Sequence, residues 1–461
     1  MQGLFEEELK VLLERVSHYI DQGDIPALQS FIDHIHSADL IEIIEDLNEE
    51  QRHILIKALD TEEAAEVLED IDSEVFSQII KVLTLKDKKE ILDEMSHDDI
   101  ADHLGELSNE RSEEIMTYLD DDDADDVREL LIYDEDTAGG LMTTEFVSLE
   151  EEFTVTQAIA YLQQHAPDAE TIYYLFVINE YEKLSGVISL RDLIIGQPDD
   201  QVKELMNTRV ISVNVSDDQE EVAKVVSKYD FLAIPVIDDF DHMKGIITVD
   251  DVIDILEEEA TEDMYKFAGA SELEADAYEE SLGNRIWNSI RSRLPWLIVT
   301  LFGGMLSASI IASYQDALDS NAILAIFIPI LAGMGGNVGT QSSTITVRNI
   351  AVGNITGIEV WKTIVHEMSV GLSVGLFCSA IALFASFFIY DISPGLAAVV
   401  GLSMWANMFV ASTIGTVVPL VFKKIGVDPA VASAPFITMT IDLTGLTIYF
   451  TLVVTLMTNM I

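Results

Sequence analysis

The sequence predicts a multidomain chain. An all-α superhelical domain is followed by a tandem α/β pair, a connecting amphipathic helix and an all-α five-span transmembrane domain. Three observations carry this. First, the 461 residues bear a formal charge of −57, yet 49% are hydrophobic and the mean hydropathy is +0.26. Charge and apolar character must then lie in different segments. Residues 294–461 contain just four basic residues, Arg348, Lys362, Lys423 and Lys424, so the acidic excess precedes them. Second, apolar residues recur every 12 positions between Leu47 and Leu131. Third, a mixed motif occurs twice between residues 141 and 257.

These figures exclude several classes. Nucleic-acid binding needs a basic face, and this surface repels phosphate. The single Cys378 excludes an intramolecular disulfide and a Cys-rich zinc site. The N-terminal MQGLFEEELK has neither a basic n-region nor an apolar h-region, so no cleaved signal peptide is expected and the acidic half is expected in the cytoplasm. No G-x-x-x-x-G-K-[ST] loop, D-K-T-G motif or H-E-x-x-H motif occurs, so direct nucleotide hydrolysis and enzymatic function are not expected.

Residues 1–134 form the first domain. Leu47, Leu59, Ile71, Leu83, Met95, Leu107, Leu119 and Leu131 stand at the strict spacing of 12. The next residue is usually a helix N-cap type: Asn48, Asp60, Asp72, Thr84, Ser96, Ser108, Asp120. Gln51, Glu63, Asp87, Asp99 and Asp123 then complete a capping-box pattern. Each unit is a helix of about nine residues and a tight turn, and such units bury their apolar faces by stacking. An ordinary helical bundle is the alternative.

Residues 135–199 and 200–258 form the α/β pair. Leu141-Met142-Thr143-Thr144 is echoed by Leu205-Met206-Asn207-Thr208, and Gly186–Asp192 by Gly245–Asp251. Each copy has a helix (Val155–Gln164, Glu220–Tyr229) and an apolar strand (Tyr173–Ile178, Leu232–Val236). A glycine then opens a buried strand, and an Asp starts a helix. This double match resembles a tandem CBS pair. The resemblance implies a regulatory module that can bind an adenine nucleotide such as ATP; a purely structural or ion-sensing pair is the alternative.

Residues 259–293 are expected to form the connecting helix, with Tyr265, Phe267, Leu273, Tyr278, Leu282, Ile286 and Ile290 on its apolar side. Carboxylates crowd around its start. Asp251 and Asp254, and then Glu259, Glu262 and Asp263, share helix faces at i, i+3 or i+4. At 4 Å each like-charge pair costs ~1 kcal/mol in bulk water and ~4 kcal/mol at an effective dielectric of 20. This is either a solvated charged face or a set of oxygens bridged by hard divalent cations.

Residues 294–461 supply five stretches long enough to span a bilayer: Leu294–Tyr314, Ala322–Val347, Thr363–Tyr390, Pro394–Phe422 and Ala430–Met460. Arg285, Arg291 and Arg293, then Arg348 and Lys362, then Lys423 and Lys424 alternate with loops that carry no basic residue. That bias puts the N-terminus inside and the C-terminus outside, with Trp287, Trp296 and Trp361 at the inner boundary. Gly333, Gly335, Gly336 and Gly339 in span two permit a tight helix contact, while Asn337 and Gln341 are pore-lining candidates; both readings can hold. Asp442 lies about 12 residues into span five, or ~18 Å at 1.5 Å per residue. It is read as the one acid well inside a span, with no Lys or Arg at that depth. Either it is protonated, or its partner is a mobile cation in water. Thr438, Thr440 and Thr444 add hydroxyl oxygens nearby.

The order of these parts resembles the MgtE-type magnesium channel/transporter family. The motifs are Arg293-Leu-Pro-Trp-Leu297, Pro329–Gln341, Asp428-Pro-Ala430 and Asp442-Leu-Thr-Gly445, together with the CBS pair. The resemblance covers almost the whole chain. It implies a homodimer in the cell membrane, in contact with lipid, with a pore between the membrane halves and Asp442 as its ion-selecting residue. It further implies that cytoplasmic Mg²⁺ closes the pore. The matching sensor carboxylates are Asp98, Asp102, Asp230, Asp251, Asp254, Glu259, Glu262, Asp263 and, at the inner mouth, Asp428. Transport of Mn²⁺, Co²⁺ or Ca²⁺, or ion-coupled carriage regulated by adenine nucleotide, is the alternative. An anion channel is disfavoured because Asp442 would repel its cargo.

Overall fold

A computed structural model describes residues 2–165, 169, 171–270, 282–353, 355, 357–390, 392–431 and 434–458. The chain divides into two compact units, Met1–Leu256 and Glu257–Ile461.

The first unit begins with helices α1 (Gln2–Gln22), α2 (Ile25–Ile32), α3 (Ser37–Asp46), α4 (Glu49–Ile56) and α5 (Thr61–Glu69). They continue as α6 (Ser73–Val82), α7 (Leu85–Leu92), α8 (His97–Glu106), α9 (Asn109–Met116) and α10 (Asp121–Leu130). All the predicted caps from Asn48 to Asp120 occupy N-cap positions. Asn48, Asp60, Asp72 and Thr84 accept backbone N–H groups of the first turn, whereas Ser96, Ser108 and Asp120 make no side-chain cap bond. The reciprocal capping box forms at Asn48 and Gln51. At Ser96 it is replaced: the Ser96 N–H donates to Glu69 Oε1 at 2.9 Å. Asp99 is one methylene too short for the return bond that Glu or Gln makes. The repeat also extends one unit further back than its apolar spacing suggested. His36 caps α3, its Nδ1 accepting the Ala38 N–H at 3.3 Å.

Alternate helices pack together, α3 on α5, α5 on α7, α4 on α6, α6 on α8 and α8 on α10. This is the stacking of a superhelix. Leu47, Leu59, Ile71, Leu83, Met95 and Leu119 are buried at the turns, and the pattern ends at the exposed Leu131.

The α/β pair contributes β1 (Ser148–Glu150), α11 (Val155–His165), β2 (Tyr174–Ile178), β3 (Leu184–Ser189) and α12 (Leu190–Ile195). Then come α13 (Val202–Leu205), β4 (Val213–Asn214), α14 (Gln219–Tyr229), β5 (Ala233–Ile237), β6 (Met243–Thr248) and α15 (Val249–Ala268). Both three-stranded sheets have one parallel and one antiparallel pairing, in the orders β1-β2-β3 and β4-β5-β6. The glycines hold equivalent registers, Val177 opposite Gly186 and Val236 opposite Gly245. The leading motifs are exchanged between copies. Thr143 bridges to Ile246 and Asn207 to Val187. A Cβ at Gly245 would meet Met142 and one at Gly186 would meet Met206, so each glycine makes room for the methionine of the other copy.

The connecting segment differs from expectation. Glu259, Glu262 and Asp263 do not begin a separate helix; they continue α15, a 20-residue helix that starts at the end of β6. It stops at Gly269, at φ +74°, where the Ala270 N–H reaches the Tyr265 carbonyl at 2.9 Å. Leu273 and Tyr278 lie outside the described residues. Leu282, Ile286 and Ile290 belong to the first membrane helix, α16 (Leu282–Ser313).

The second unit continues with α17 (Gln315–Ser320), a 3₁₀ turn (Ala322–Phe327), α18 (Ile328–Ala351), α19 (Ile358–Phe388) and α20 (Pro394–Lys424). A second 3₁₀ turn (Pro429–Val431) leads into α21 (Ala434–Thr458). Among the described residues five helices are long and apolar enough to cross a membrane. Met460, the predicted end of the last span, lies outside the described residues. α20 is the central helix, packed on α18, α19 and α21, while α16 packs on α21.

Candidate functional site

In the first unit, carboxylates from two segments remote in sequence converge. Asp98, Asp99 and Asp102 stand on α8, and Glu69 ends α5. Asp251 and Asp254 stand near the start of α15. Burial, and then the negative charges of Asp98, Glu69, Asp251 and Asp102, push the Asp99 carboxyl up to about 10. Burial, and then Asp254 and Asp250, raise Asp70 as well. The predicted residues Asp98, Asp102, Asp251 and Asp254 are therefore brought to one face, and Glu69, Asp70 and Asp99 join them unpredicted. Their signal was weak, because Asp99 reads as a capping residue and Glu69 as a helix end. Asp251 is also structural: Thr248 donates both its N–H (3.2 Å) and its hydroxyl (2.7 Å) to Asp251 Oδ2. In the first copy Asp192 Oδ2 accepts the Ser189 hydroxyl at 2.7 Å, and the Asp192 N–H donates back to Ser189 Oγ at 3.1 Å. Asp230 is the left-handed C-cap of α14 and is absent from the charges that act on Asp99 and Asp70.

In the second unit, the end of α15 meets the α20–α21 connection. Lys266 Nζ pairs with Glu262 Oε1 on its own helix and with Asp428 Oδ2 at 3.1 Å. Asp428 Oδ1 accepts the Ala430 N–H at 2.7 Å, which fixes the carboxylate at the 3₁₀ turn. Burial opposes the charge on Lys266, but its bonds to Glu262 and Asp428 outweigh burial and push its pKa up to about 12. The acidic stretch thus contains its own cation. The i, i+4 spacing of Glu262 and Lys266 was the available sequence signal.

The membrane helices separate the two readings of span two. Gly335, Gly336 and Gly339 are buried, and a Cβ on them would meet Asn407, Thr438 and Ile441. Asn337 and Gln341 lie on the opposite, exposed stripe of α18. The glycines make the helix contact, and the amides face away from it. Asp442 is half-buried on α21, and its Oδ1 is buried without a hydrogen-bond partner among the described residues. Thr438 reaches Thr340 Oγ1 at 3.5 Å, while Thr440 and Thr444 donate to carbonyls of their own helix. Their hydroxyls offer only lone pairs to the site.

Two further polar residues were missed. Asp442 is not the one acid well inside a span: Glu367 on α19 is 4% exposed and accepts the Ser342 hydroxyl at 2.8 Å. Its helix starts earlier than the hydropathy boundary at Thr363, so it stands further from the helix start than the sequence suggested. Asn407 on α20 donates to the Leu331 carbonyl of α18 at 2.8 Å and sits where Gly335 and Gly445 lack side chains.

Among the described residues no three His, Cys, Asp or Glu side chains converge into a metal cage. The chemistry of these oxygens suits a hard cation held through its water shell, since Mg²⁺ keeps several waters and uses few direct carboxylates.

Comparison with known proteins covers most of the chain. Residues 328–452 match the MgtE divalent cation transporter profile, residues 35–136 the MgtE intracellular N domain, and residues 138–197 and 202–258 the CBS domain. The magnesium transporter MgtE of Thermus thermophilus is 37% identical over 447 residues, 96% of this chain and 97% of that protein. The Enterococcus faecalis magnesium transporter MgtE is 41% identical over 71% of this chain and 70% of its own length. A crystal structure of the cytosolic domain of the Mg²⁺ channel MgtE in complex with ATP aligns with TM-score 0.51 and 39% identity. It covers 53% of this chain and 99% of that one. The soluble part of a magnesium transporter aligns with TM-score 0.50 and 35% identity, covering 55% of this chain and 99% of that one.

Proposed function

We propose a transport function from the premise that this chain belongs to the MgtE family of divalent cation transporters. Its cargo is Mg²⁺, which crosses a multi-pass membrane domain whose acidic N-terminal domains lie in the cytoplasm. The observation that carries the reading is Asp442, a half-buried carboxylate on a membrane helix with one oxygen unpartnered among the described residues. A two-fold axis through the pore would place two such carboxylates around one dication in a homodimer. Outer-shell holding by carboxylates, threonine lone pairs and carbonyls selects the ion without stripping it and still releases it. The C-terminus lies outside.

The cytoplasmic carboxylates act as a magnesium-dependent brake. Divalent ions between α8 and the start of α15 relieve the repulsion that, together with burial, keeps Asp99 protonated. A second set at Glu259, Glu262, Asp263 and Asp428 draws the end of α15 to the pore. Asp230 joins at the second module. Many weak sites on one two-state element make a threshold sensor. ATP binds at the CBS pair and tunes it, as the ATP complex of the 39% identical cytosolic domain supports.

The test is uptake by the purified full chain in liposomes, one divalent cation at a time, with and without a pH gradient. Mg²⁺ influx that saturates and needs no gradient is expected. Influx that requires the gradient would make the protein a coupled carrier, and exclusion of Mg²⁺ in favour of Mn²⁺, Co²⁺ or Ca²⁺ would overturn the cargo.

A further inference from the structure

A cavity of about 110 Å³ lies in the superhelix between α6, α7 and α9. That is room for several water molecules, and so for a four-oxygen anion. Its lining reverses the balance of the chain around it. Lys81 of α6, Lys88 of α7 and Arg111 of α9 stand against the acids Glu74 and Glu114, although acids outnumber bases 82 to 25 in the sequence. Both acids are engaged. Arg111 Nη1 pairs with Glu74 Oε2, and the Tyr118 hydroxyl donates to Glu114 Oε1 at 3.2 Å. The lysines are not. Lys88 is 7% exposed, yet among the described residues its Nζ has neither a hydrogen bond nor an ion pair; it stands 4.3 Å from the centre of the Tyr118 ring. Lysine is almost never fully buried unless paired, and a ring face replaces only part of the hydration a buried cation loses. The side chains of Lys81, Ser77 and Gln78 also line the cavity, and among the described residues they make no hydrogen bond.

We propose that this cavity binds the phosphoryl group of a small anion, either inorganic phosphate or a phosphate monoester. Lys88 supplies the buried charge and the exposed Lys81 a second one. Ser77 and Gln78 add neutral donors, and Arg111 keeps N–H groups beyond the one given to Glu74. A tetrahedral phosphoryl group turns an oxygen toward each of several donors on three helices, whereas a planar carboxylate has two oxygens to share among them. The chain's charge of −57 disfavours any anion at long range. Salt screens exposed charges beyond about 8 Å, however, so the lining decides. None of these residues is among the carboxylates assigned to magnesium or in the CBS pair, so the site is separate from both. A ligand that joins α6, α7 and α9 stabilises the superhelix by its own binding.

The test is equilibrium dialysis of radiolabelled inorganic phosphate against the full chain in detergent, without divalent ions. Saturable binding at one site per chain is expected. Lys88→Met keeps the length of the side chain and removes its charge, and it should weaken that binding at least tenfold, the worth of one charge-assisted hydrogen bond. Thermal unfolding shows whether this variant is folded. Should it not be, Lys81→Met at the exposed position decides, with a loss of roughly threefold expected. Displacement of the label by phenyl phosphate distinguishes the two sources. Stronger competition than by unlabelled phosphate assigns the site to a monoester whose organic part lies on Ile80 and Ile115, and equal or weaker competition assigns it to inorganic phosphate. If wild type shows no saturable binding up to millimolar phosphate, the Tyr118 ring is all that Lys88 requires and the proposal falls. It falls equally if folded Lys88→Met, or Lys81→Met in its place, binds phosphate as wild type does.

Discussion

Asp442 and Asp99 are both carboxylates out of bulk water, but their surroundings give them different work. Asp442 has an oxygen unpartnered among the described residues, and its helix brings it no basic side chain. Asp442→Asn preserves size and hydrogen bonding and removes the charge. It should reduce Mg²⁺ uptake in liposomes at least tenfold at matched insertion, the effect of losing about 1.4 kcal/mol of ion stabilisation. Wild-type uptake would make Asp442 structural and move the selectivity site to the Asn337–Gln341 stripe. Asp99 is instead buried among four other carboxylates, and burial first and their charges second push its pKa up to about 10. It is thus already protonated at neutral pH. Asp99→Asn should raise cation-free stability at neutral pH, because the unfolded chain no longer gains by releasing that proton, and diminish the extra stability that Mg²⁺ confers, both read from thermal unfolding. A large loss of cation-free stability would show that Asp99 is ionised there.

Helices in this chain are set by small features at defined positions. In the superhelix, Asn48 forms the reciprocal box and Ser108 makes no side-chain cap bond. Asn48→Ala should destabilise by about 1 kcal/mol in chemical unfolding, and Ser108→Ala by much less. Equal effects would mean that stacking, not capping, fixes these helix starts. In the membrane domain the same contrast falls on glycines. A Cβ at Gly415 on α20 would lie 2.3 Å from the Gly339 carbonyl oxygen, a backbone atom that cannot turn aside. One at Gly333 would meet nothing within 4 Å. Gly415→Ala should separate α18 from α20 at a cost of about 1–3 kcal/mol, seen as a lower melting temperature in detergent. Gly333→Ala should leave that temperature unchanged.

Over the whole molecule, the segregation of charge makes stability a function of pH and magnesium together. The folded state holds a proton on Asp99 that the unfolded chain releases once pH passes the ordinary value of 3.8. The folded state therefore binds more protons, and stability should fall as pH rises from there toward about 10. A metal ion that replaces the proton removes this slope, and its own binding strengthens with pH. Unfolding midpoints across that range, with and without Mg²⁺, should diverge as pH rises. Parallel curves would exclude cation binding at this face. The alternation of basic loops predicts a C-terminus outside, so a C-terminal reporter active only in the cytoplasm should be silent.

The sequence by itself determined what depends on local periodicity and on the solvent each segment meets. A spacing of 12 with a cap residue after each apolar turn specifies stacked short helices, because every unit repeats the same local solution. Apolar runs of spanning length specify five membrane helices, because lipid leaves backbone groups no other partner. That Asp442 falls within the last of these runs was legible for the same reason. Tertiary structure decided what depends on distance between segments remote along the chain. Only folding brings Asp99 and Glu69 to Asp251, exchanges Met142 and Met206 between the two sheets, and turns Gly335, Gly336 and Gly339 of α18 inward while Asn337 and Gln341 face out. It likewise buries Glu367 against Ser342 and sets Lys266 on Asp428. Coulomb repulsion, hydrogen bonding and steric fit all act over a few ångströms, and no pattern along the chain records which residues will come that close.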